Sequence, residues 1–564
     1  NTIVMSFGEG LQLSADKASE IYIALPAGDH GMVTITLNTA DPAEKMTVGF
    51  DSSAKPVKAG FVREFQEFTH SANSSVEYII VTKEDLIRFA EDVTTFSANT
   101  TVRIAGEIDM TGESWTPIAE FDHYLDGGKD AGYYIKGLSA PLFGETAANI
   151  KNVKLTGVNI TETEAAFTGA IARRLYGSLN NCSAAGTYNI NNTTLVLESF
   201  TNLYNDIGHG GLVGRANGAT IYNCTNNLDI TATSFCTADF NCKVTFGGLV
   251  GVNENGSKYN NLTNNGDIVY NGTTQIGNIY ASGIIGKSSD VPDQGDILEL
   301  SNCTNNGIIS TTADSKCGGS MMMQGITGTT SKVKCVNLKN YADITHNGKC
   351  GTLYQQGIIS YNTYADFDQC ENTGNLTAST GAEATQVYQS GLFGKPTTSV
   401  ITNCNNSGNL TVGDISTLNG YVKLSGLCDT FGGEGASMTN CNNSGKISVG
   451  AITNIKTGNS GRLYMSGLIG TLNHGDISNC HNLAEATINS TAKDIASMHM
   501  VGGLFGYIAS ASIADQKINV TDCTQNATIT LTPESCVSTY CGGLVGQHWA
   551  NKADLTTTFT RVVN

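Results

Sequence analysis

The stretch SNCTNNG at residues 301–307 recurs almost unchanged as TNCNNSG at 402–408 and again at 439–445. A cysteine therefore stands in the same setting of asparagines every few dozen residues. Repetition at such intervals indicates a solenoid, in which each unit packs only against the units before and after it.

A second phrase, of the form glycine–leucine–hydrophobic–glycine, alternates with the first. Strict and looser copies stand at 141–144, 169–172, 211–214, 248–251, 283–286, 325–328, 357–360, 391–394, 426–429, 467–470, 503–506 and 543–546. Each unit holds three short stretches of alternating apolar residues between Asn and Gly turns, without helical periodicity. We therefore predict an all-β chain, a parallel β-helix of about twelve turns with three strands and three corners per turn. Its length would be about 58 Å.

The cysteine phrase, aligned across the units, gives one column of residues. The column reads Val153, Cys182, Cys224, Leu262, Cys303, Leu338, Cys370, Cys404, Cys441, Cys480 and Cys523. Cys303 lies between two leucines, so it has no cysteine on an adjacent turn with which to form a disulfide. Neighbouring turns elsewhere in the column would be close enough for disulfides. Exchange of Cys with Leu and Val nevertheless favours a buried column of small apolar groups.

The asparagine before the column residue marks a corner. In VITNC, Ile401 and Cys404 are three residues apart, so both can point inward only if a corner intervenes. Asn tolerates a left-handed backbone and can bond its counterpart on the next turn. Two further pairs, Cys236/Cys242 and Cys536/Cys541, lie in loop segments. Each pair could form a local disulfide or remain as two isolated thiols, and the sequence favours neither.

Composition narrows the class of protein. The 564-residue chain carries 32 basic and 50 acidic residues, a net charge of -18, and this argues against a nucleic-acid partner. No apolar run is long enough to cross a bilayer. No initiating Met, signal peptide or lipid-attachment Cys stands near Asn1, so we expect a mature or trimmed product of an exported protein.

The first part of the chain differs from the repeats. Residues 1–75 alternate like antiparallel strands, with PAGDHG as a turn. Thr82 can cap a short helix with Asp85 three residues on, and Leu86, Phe89, Ala90 and Val93 form its apolar stripe. Because a solenoid exposes its core at each end, we expect this helix to cover the first turn.

Several phrases resemble a known family. TKEDLIRFAEDV (82–93), IAGEIDMTGESWTPI (104–118) and GLSAPLFG (137–144) look like the GLUG-type repeat proteins on the surface of Bacteroidales. The resemblance covers residues 77–564 and implies a right-handed β-helix behind a leading helix. Residues 1–75 are similar to the end of a fimbrillin-like β-sandwich domain. Together they imply an outer-membrane lipoprotein or a fimbria-associated protein, anchored by a lipid outside the given residues.

These observations predict three regions. Residues 1–75 form a β-sandwich portion, 76–140 the capping helix and first β-helix strands, and 141–564 the repeats.

A β-helix enzyme is an alternative that the motifs do not favour. Gly208-His209-Gly210 reproduces a triplet of pectin-hydrolysing β-helix enzymes, but the paired aspartates and the Arg–Lys motif that accompany it there are missing. We interpret His209 as a repeat-edge residue. The loop at 288–299 offers Asp290, Asp293 and Asp296 as Ca²⁺ ligands, although a solvated acidic turn fits it as well. No other cofactor and no zinc spacing is indicated.

A tyrosine column is the candidate ligand-binding feature. Tyr280, Tyr354, Tyr388, Tyr464 and Tyr540 each stand three residues before the repeat glycine. Facing outward, they would be a platform for sugar rings. Each also lies four residues before the repeat Leu or Ile, and even spacing on a strand puts both on one face. This parity favours an interior stack.

The leading hypothesis is a non-catalytic β-helix protein of the bacterial cell surface that serves adhesion or binds glycans or surface proteins. One alternative is a polysaccharide lyase or glycoside hydrolase. Another is an accessory lipoprotein that partners an outer-membrane nutrient transporter or a fimbrial assembly. No transmembrane segment is expected in this chain.

Overall fold

A computed structural model of the protein describes residues 32–38, 45–51, 76–98, 100–128, 132–191, 206–234, 243–273, 277–288, 297–328, 332–362, 364–416, 420–453, 461–492, 497–509, 516–532, 536, 538–549 and 555–564. They form an all-β structure, the predicted right-handed parallel β-helix with one short helix at its start. No helix among these residues is long and apolar enough to cross a membrane.

Each turn of the β-helix has four faces rather than the three predicted. Face 1 precedes the Asn-Cys corner, face 2 follows it, face 3 precedes the Gly-Leu corner and face 4 follows that corner. Three strands were predicted because the segment before the Gly-Leu phrase often merges with loops of variable length. Strands of face 3, such as Lys349–Gln356, show the missing fourth side.

The strands of face 1 are Val76–Ile80, Thr100–Ile104, Tyr124–Asp126, Asn149–Lys151, Ser178–Asn180, Thr220–Tyr222, Lys258–Asn260, Leu298–Ser301, Lys332–Val336, Tyr364–Asp368, Val400–Thr402, Ser437–Thr439, Gly475–Ser478, Lys517–Thr521 and Thr556–Thr560. Those of face 2 are Ile108–Asp109, Ile135–Lys136, Lys154–Glu162, Ser183–Asn191, Thr225–Ser234, Thr263–Asn264, Ile268–Tyr270, Thr304–Asn305, Ile309–Thr311, Lys339–Asn340, Ile344–His346, Glu371–Asn372, Leu376–Ala378, Asn405–Asn406, Leu410–Val412, Asn442–Asn443, Ile447–Val449, His481–Asn482, Thr487–Ser490, Thr524–Gln525 and Thr528–Leu531.

Face 3 holds Phe167–Thr168, Asp206–Gly210, Lys243–Gly247, Asn278–Ser282, Ser320–Gln324, Lys349–Gln356, Glu383–Ser390, Tyr421–Ser425, Arg462–Ser466, Met498–Gly502 and Thr539–Gly542, with Ile415–Ser416 and Ile452–Thr453 beside them. Face 4 holds Ile118–Phe121, Phe143–Thr146, Ala172–Leu175, Val213–Asn217, Val250–Glu254, Ile285–Ser288, Ile359–Asn362, Phe393–Pro396, Cys428–Phe431, Ile469–Leu472, Phe505–Ala509 and Val545–Trp549.

The Asn-Cys corner is built as predicted. Asn302 has a φ of 54°, and the asparagines at 152, 181, 223, 261, 337, 403, 440 and 479 are also left-handed. Asn337 Nδ2 donates to Asn302 Oδ1 at 2.9 Å, so consecutive corners are bonded to each other. These bonds tie the corner of one turn to the next at the surface of the rod.

The buried-column prediction is confirmed for the cysteines of this phrase. Cys303 is 0% exposed, and every other member of the column is likewise buried. The thiols of the column are free, and Cys303 Sγ donates to Ser301 O at 3.3 Å. The column is therefore a stack of small apolar groups inside the β-helix.

A second interior column, two residues beyond the first, was not predicted. Asn305 Nδ2 donates to Asn340 Oδ1 at 2.8 Å and to the backbone oxygen of Gly307 at 3.0 Å. The same contact runs from turn to turn through Asn226, Asn264, Asn305, Asn340, Asn372, Asn406, Asn443, Asn482 and Gln525, with side-chain bonds of 2.7–2.9 Å. All nine side chains are buried. We call this column the amide ladder.

The helix Lys83–Asp92 covers the start of the rod, as expected. Thr82 and Asp85 form a capping box at its N-terminus. Phe89 is 1% exposed and lies 5.5 Å, centroid to centroid, from Phe121 of face 4. A short 3₁₀ turn, Val93–Thr95, follows the helix.

Within residues 1–75 the described part is one antiparallel pair, Met32–Asn38 with Lys45–Asp51. The rest of that region lies outside the described residues. The sandwich portion and the three region boundaries therefore stay predictions.

One repeat copy is displaced from its predicted register. Ala172 pairs with Val213, so the residues matching Gly211 to Gly214 are 170–173 rather than 169–172. Arg173 thus takes the place of the last glycine of the phrase.

Candidate ligand-binding groove

The Gly-Leu corner brings faces 3 and 4 into backbone contact. A Cβ built on Gly251, the last glycine of its phrase, would lie 2.4 Å from His209 N and 2.6 Å from Gly208 C. A side chain on Gly251 would press against the backbone of face 3, and this explains why most copies of the phrase end in glycine.

Beyond this corner the outer surfaces of faces 3 and 4 meet in a groove. Lys423 of face 3 forms an ion pair with Asp429 at 3.4 Å, and the rings of Tyr464 and Tyr507 lie 6.2 Å apart. Outward side chains of two faces can meet in this way only where the corner between them is concave. We call this surface the tyrosine groove. Face 3 contributes Phe167, Tyr280, Tyr354, Tyr388, Tyr421, Lys423, Arg462, Tyr464 and Tyr540. Face 4 contributes Arg174, Arg215, Lys287, Asp429 and Tyr507.

The five predicted tyrosines share one column on the outer side of face 3. Parallel pairing runs from Tyr280 through Met322, Tyr354, Tyr388, Lys423, Tyr464 and Met500 to Tyr540. Tyr280 and Tyr464 are each 4% exposed, Tyr354 and Tyr388 are half-buried, and Tyr540 is 37% exposed. None of them belongs to the continuous apolar core.

The interior-stack interpretation is therefore wrong. Val387 and Gln389, on either side of Tyr388, are both 0% exposed and point inward, so Tyr388 points outward. Leu392 is also buried, but it lies with Gly391 in the corner between the strands Glu383–Ser390 and Phe393–Pro396. Strand parity holds only within one strand, and the corner resets it.

Two neighbouring tyrosines of the column, Tyr354 and Tyr388, stack on each other. The rings of Tyr354 and Tyr388 lie 4.9 Å apart and within 10° of parallel. Tyr388 Oη donates to Gln386 Oε1 at 2.6 Å. Burial raises the pKa of Tyr388 well above its usual value, so the hydroxyl remains protonated. Since Tyr354 and Tyr388 each cover one face of the other ring, this pair presents ring edges and hydroxyl groups to the groove.

Lys423 interrupts the tyrosine column and lies in a cage of rings. Its Nζ is 5.3 to 5.7 Å from the ring centroids of Tyr464, Tyr388 and Tyr421. Asp429, its ion-pair partner, replaces the last glycine of the phrase GLCD. In the sequence, the signal for this pair is that departure from the repeat.

Cations also mark the rest of the groove. The guanidinium carbons of Arg174 and Arg215 lie 5.3 and 5.2 Å from the ring centroid of Phe167. Arg174 pairs with Glu145 and Arg215 with Glu254. Arg462 lies 5.9 Å from the Tyr421 ring centroid, and its Nη1 donates to Tyr464 Oη at 3.3 Å.

An acidic cleft lies near the N-terminal end of face 4. Glu120, Asp122 and Glu145 line it together with Tyr176. Glu120 and Glu145 stand on neighbouring strands, and Asp122 Oδ1 accepts from Ala147 N at 3.0 Å. Within the described residues no group of three metal-ligating side chains comes together. The predicted calcium ligands Asp290, Asp293 and Asp296 lie outside those residues.

His209 lies inside the β-helix and not at a repeat edge. It is 0% exposed, and its Nδ1 lies 2.6 Å from Tyr188 Oη. Burial lowers the pKa of His209 to about 4, so the ring is neutral near pH 7.

The loop cysteine pairs have different outcomes. Cys541 is an exposed free thiol, so the structure does not join it to Cys536. Cys236 and Cys242 lie outside the described residues, and their state stays open.

Comparison with known proteins adds little beyond the fold. No family model and no curated protein matches the chain. A Bacteroides ovatus protein described as a "putative immunoglobulin A1 protease" is structurally similar at 17% sequence identity and a TM-score of 0.34, over 49% of this chain and 78% of that one. A similarity of this size carries no argument about function. The GLUG and fimbrillin-like resemblances stay predictions.

Proposed function

We propose that the protein is a non-catalytic β-helix of a bacterial cell surface that binds glycan chains along the tyrosine groove. The observation that carries this proposal is the outward column of tyrosines on face 3, which continues from turn to turn in parallel register. We also propose that the protein is extracellular and is anchored by a lipid outside the given residues.

The chemistry of the groove suits sugar hydroxyl groups. Tyrosine hydroxyls and cationic nitrogens donate hydrogen bonds, and the amides and carboxylates among them accept. Stacked rings, such as those of Tyr354 and Tyr388, are held in place before a ligand arrives, so little side-chain entropy is lost on binding. Turns about 4.8 Å apart would repeat these groups along an extended chain.

A glycan fits this surface better than a protein partner does. Protein interfaces depend on apolar side chains that enter fully desolvated pockets. In the described part of the groove the tyrosine rings pack against one another and beside the cations of Lys423 and Arg462, so a ligand would meet hydroxyl and cationic groups. Binding of a protein in place of a glycan is therefore one of the results that the test distinguishes.

The test is a glycan array followed by calorimetry on the best ligand. The double variant Tyr354→Ala/Tyr388→Ala removes the stacked pair, and Tyr341→Ala removes a tyrosine that is 43% exposed on face 2. We expect at least tenfold weaker binding for the double variant and unchanged binding for Tyr341→Ala. Tyr388→Phe separates loss of the hydroxyl from loss of the ring. Equal binding by all variants, or binding of proteins alone, would overturn the proposal.

The acidic cleft keeps an enzyme as the second candidate. Two carboxylates that flank a glycosidic bond are the requirement for its hydrolysis, and Glu120 and Glu145 stand on adjacent turns. Reducing-sugar and unsaturated-product assays on the glycans that bind would detect turnover. Turnover that Glu120→Gln abolishes would replace the non-catalytic proposal.

An accessory role in a nutrient-uptake or fimbrial assembly is the third candidate, and it comes from the sequence resemblance alone. Co-purification from native outer membrane would test it. Recovery of the protein as a single species would count against it.

A further inference from the structure

One arginine of the tyrosine groove differs from every other arginine that the structure describes. The chain has seven arginines within the described residues, and six form an ion pair with a carboxylate. The six pairs are Arg88–Asp85, Arg103–Glu77, Arg173–Glu162, Arg174–Glu145, Arg215–Glu254 and Arg561–Asp522. Arg462 forms none in the described part of the chain, although acidic residues outnumber basic ones in this protein.

The surroundings of Arg462 are tyrosines. Its Nη1 donates to Tyr464 Oη at 3.3 Å, and its guanidinium carbon lies 5.9 Å from the Tyr421 ring centroid. Tyr507 lies across the groove, with its ring 6.2 Å from that of Tyr464. Arg462 Nε is buried and makes no hydrogen bond within the part of the chain that is described. Arg462 Nη2 is neither buried without a partner nor hydrogen-bonded within the described residues, so the partly exposed guanidinium has a donor available there.

Lys423 places a second positive charge beside it. Lys423 stands on the strand next to that of Arg462, and its Nζ lies 5.3 Å from the Tyr464 ring centroid. Its charge is partly balanced by Asp429 at 3.4 Å. The local charge of this section is thus positive, against a net charge of -18 for the chain.

We propose that Arg462, with the hydroxyls of Tyr464 and Tyr507, is a subsite for an acidic group on the glycan, a carboxylate or a sulfate. A guanidinium presents parallel N–H groups that match the two oxygens of such an anion, and tyrosine hydroxyls add further donors. Tyr421 stacks near the guanidinium and limits its rotation. This inference rests on the proposed glycan-binding function and specifies its ligand as an acidic glycan.

Three trisaccharides that share a galactose-type backbone test the subsite, one neutral, one carboxylated as galacturonate and one sulfated. Short probes keep the long-range repulsion from the net negative charge small. We expect the wild-type protein to bind at least one acidic trisaccharide tenfold or more tightly than the neutral one. The preferred probe distinguishes carboxylate from sulfate.

Variants assign the preference to Arg462. Arg462→Gln should abolish it, and Arg462→Lys should retain only part of it because a lysine lacks the fork geometry. Asp429→Asn should strengthen it by leaving Lys423 without its counter-charge. Arg103→Gln, in an ion pair on face 1, is the matched control and should bind like the wild type. Thermal unfolding midpoints check that each variant is folded.

The outcomes separate this inference from the proposed function. Equal binding of neutral and acidic probes, or a preference that survives Arg462→Gln, would overturn the subsite and leave glycan binding in place. Failure of every trisaccharide while other glycans bind on the array would do the same. Failure of all glycans would overturn both.

Discussion

Gly283 lies directly against the side-chain amide of Asn305. A Cβ built on Gly283 would stand 2.3 Å from Asn305 Cγ and 2.2 Å from the backbone oxygen of Gly325 on the next turn. The first glycine of one repeat phrase therefore packs on the asparagine that follows the cysteine of the other. The two phrases recur together because each needs the other inside the β-helix.

Replacement of this glycine should destabilise the protein strongly. Gly283→Ala forces the Asn305 amide or the backbone of the next turn to move, and we expect a loss of about 3 kcal/mol in the free energy of unfolding. Gly435→Ala is the control, since it has a φ of +76° but no atom within 4 Å. That change should cost about 1 kcal/mol. Urea unfolding measures both, and equal losses would contradict the packing argument.

The amide ladder should be far more sensitive than the exposed asparagines. Asn305→Ala leaves the buried Oδ1 of Asn340 without its donor, at an expected cost of about 2–4 kcal/mol. Asn306→Ala removes a bond of the same length, 2.8 Å to Asn265, at the exposed surface. We expect that variant to change stability by less than about 0.5 kcal/mol. Similar effects at the two neighbouring positions would disprove a structural role for the ladder.

The thiols of the cysteine column should be unreactive toward alkylating reagents. Burial raises the pKa of the Cys303 thiol to about 12, and the side chain is 0% exposed. In the native protein an alkylating reagent should therefore modify Cys541 and leave Cys303 intact, as read by peptide mass mapping. Cys303→Val should cost less than about 1 kcal/mol, because Leu262 and Leu338 fill the same column. Rapid labelling of Cys303 would refute its burial.

Acid should weaken the fold through three buried histidines. Burial lowers the pKa values of His209, His346 and His499 to about 4 from an ordinary value of 6.5. Because the unfolded chain takes up these protons more readily, the stability present above pH 6.5 should fall as the pH drops toward 4.

His499 gives the sharpest variant for that prediction. It is 0% exposed, and neither ring nitrogen has a hydrogen-bond partner within the described part of the protein. His499→Met should raise the melting temperature and flatten its decline between pH 6.5 and 4. Thermal scans across this range measure the effect, and an unchanged pH profile would count against it.

The sequence predicts what repeats within a unit and misses what depends on neighbours in space. Asn302 and Cys303 revealed a corner and a buried column because their chemistry is the same on most turns. The amide ladder was equally visible in principle, since Asn305 stands two residues beyond the column in unit after unit. The alignment of the repeats shows this second column two residues after the cysteine.

The errors at the groove have a different cause. The four-residue spacing between Tyr388 and Leu392 predicted that both side chains point inward. Leu392 is buried, but the corner at Gly391 lies between the two residues, so the alternation of the strand does not extend from one to the other. Arg462 carries no pattern at all in the sequence. Its distinction is that it forms no ion pair with a carboxylate of the described residues, and this becomes visible only when the turns are stacked.

The amide ladder also has a direction. From Asn226 to Asn482 each side-chain amide donates to the amide oxygen of the following turn, and Gln525 is the last acceptor. These bonds all run in one direction along the axis of the rod. Duplication or loss of whole units would keep this alignment, whereas a partial unit would place another residue at the ladder position and leave a buried amide without its partner. A lineage of such proteins is thus free to grow or shorten only in steps of one complete turn.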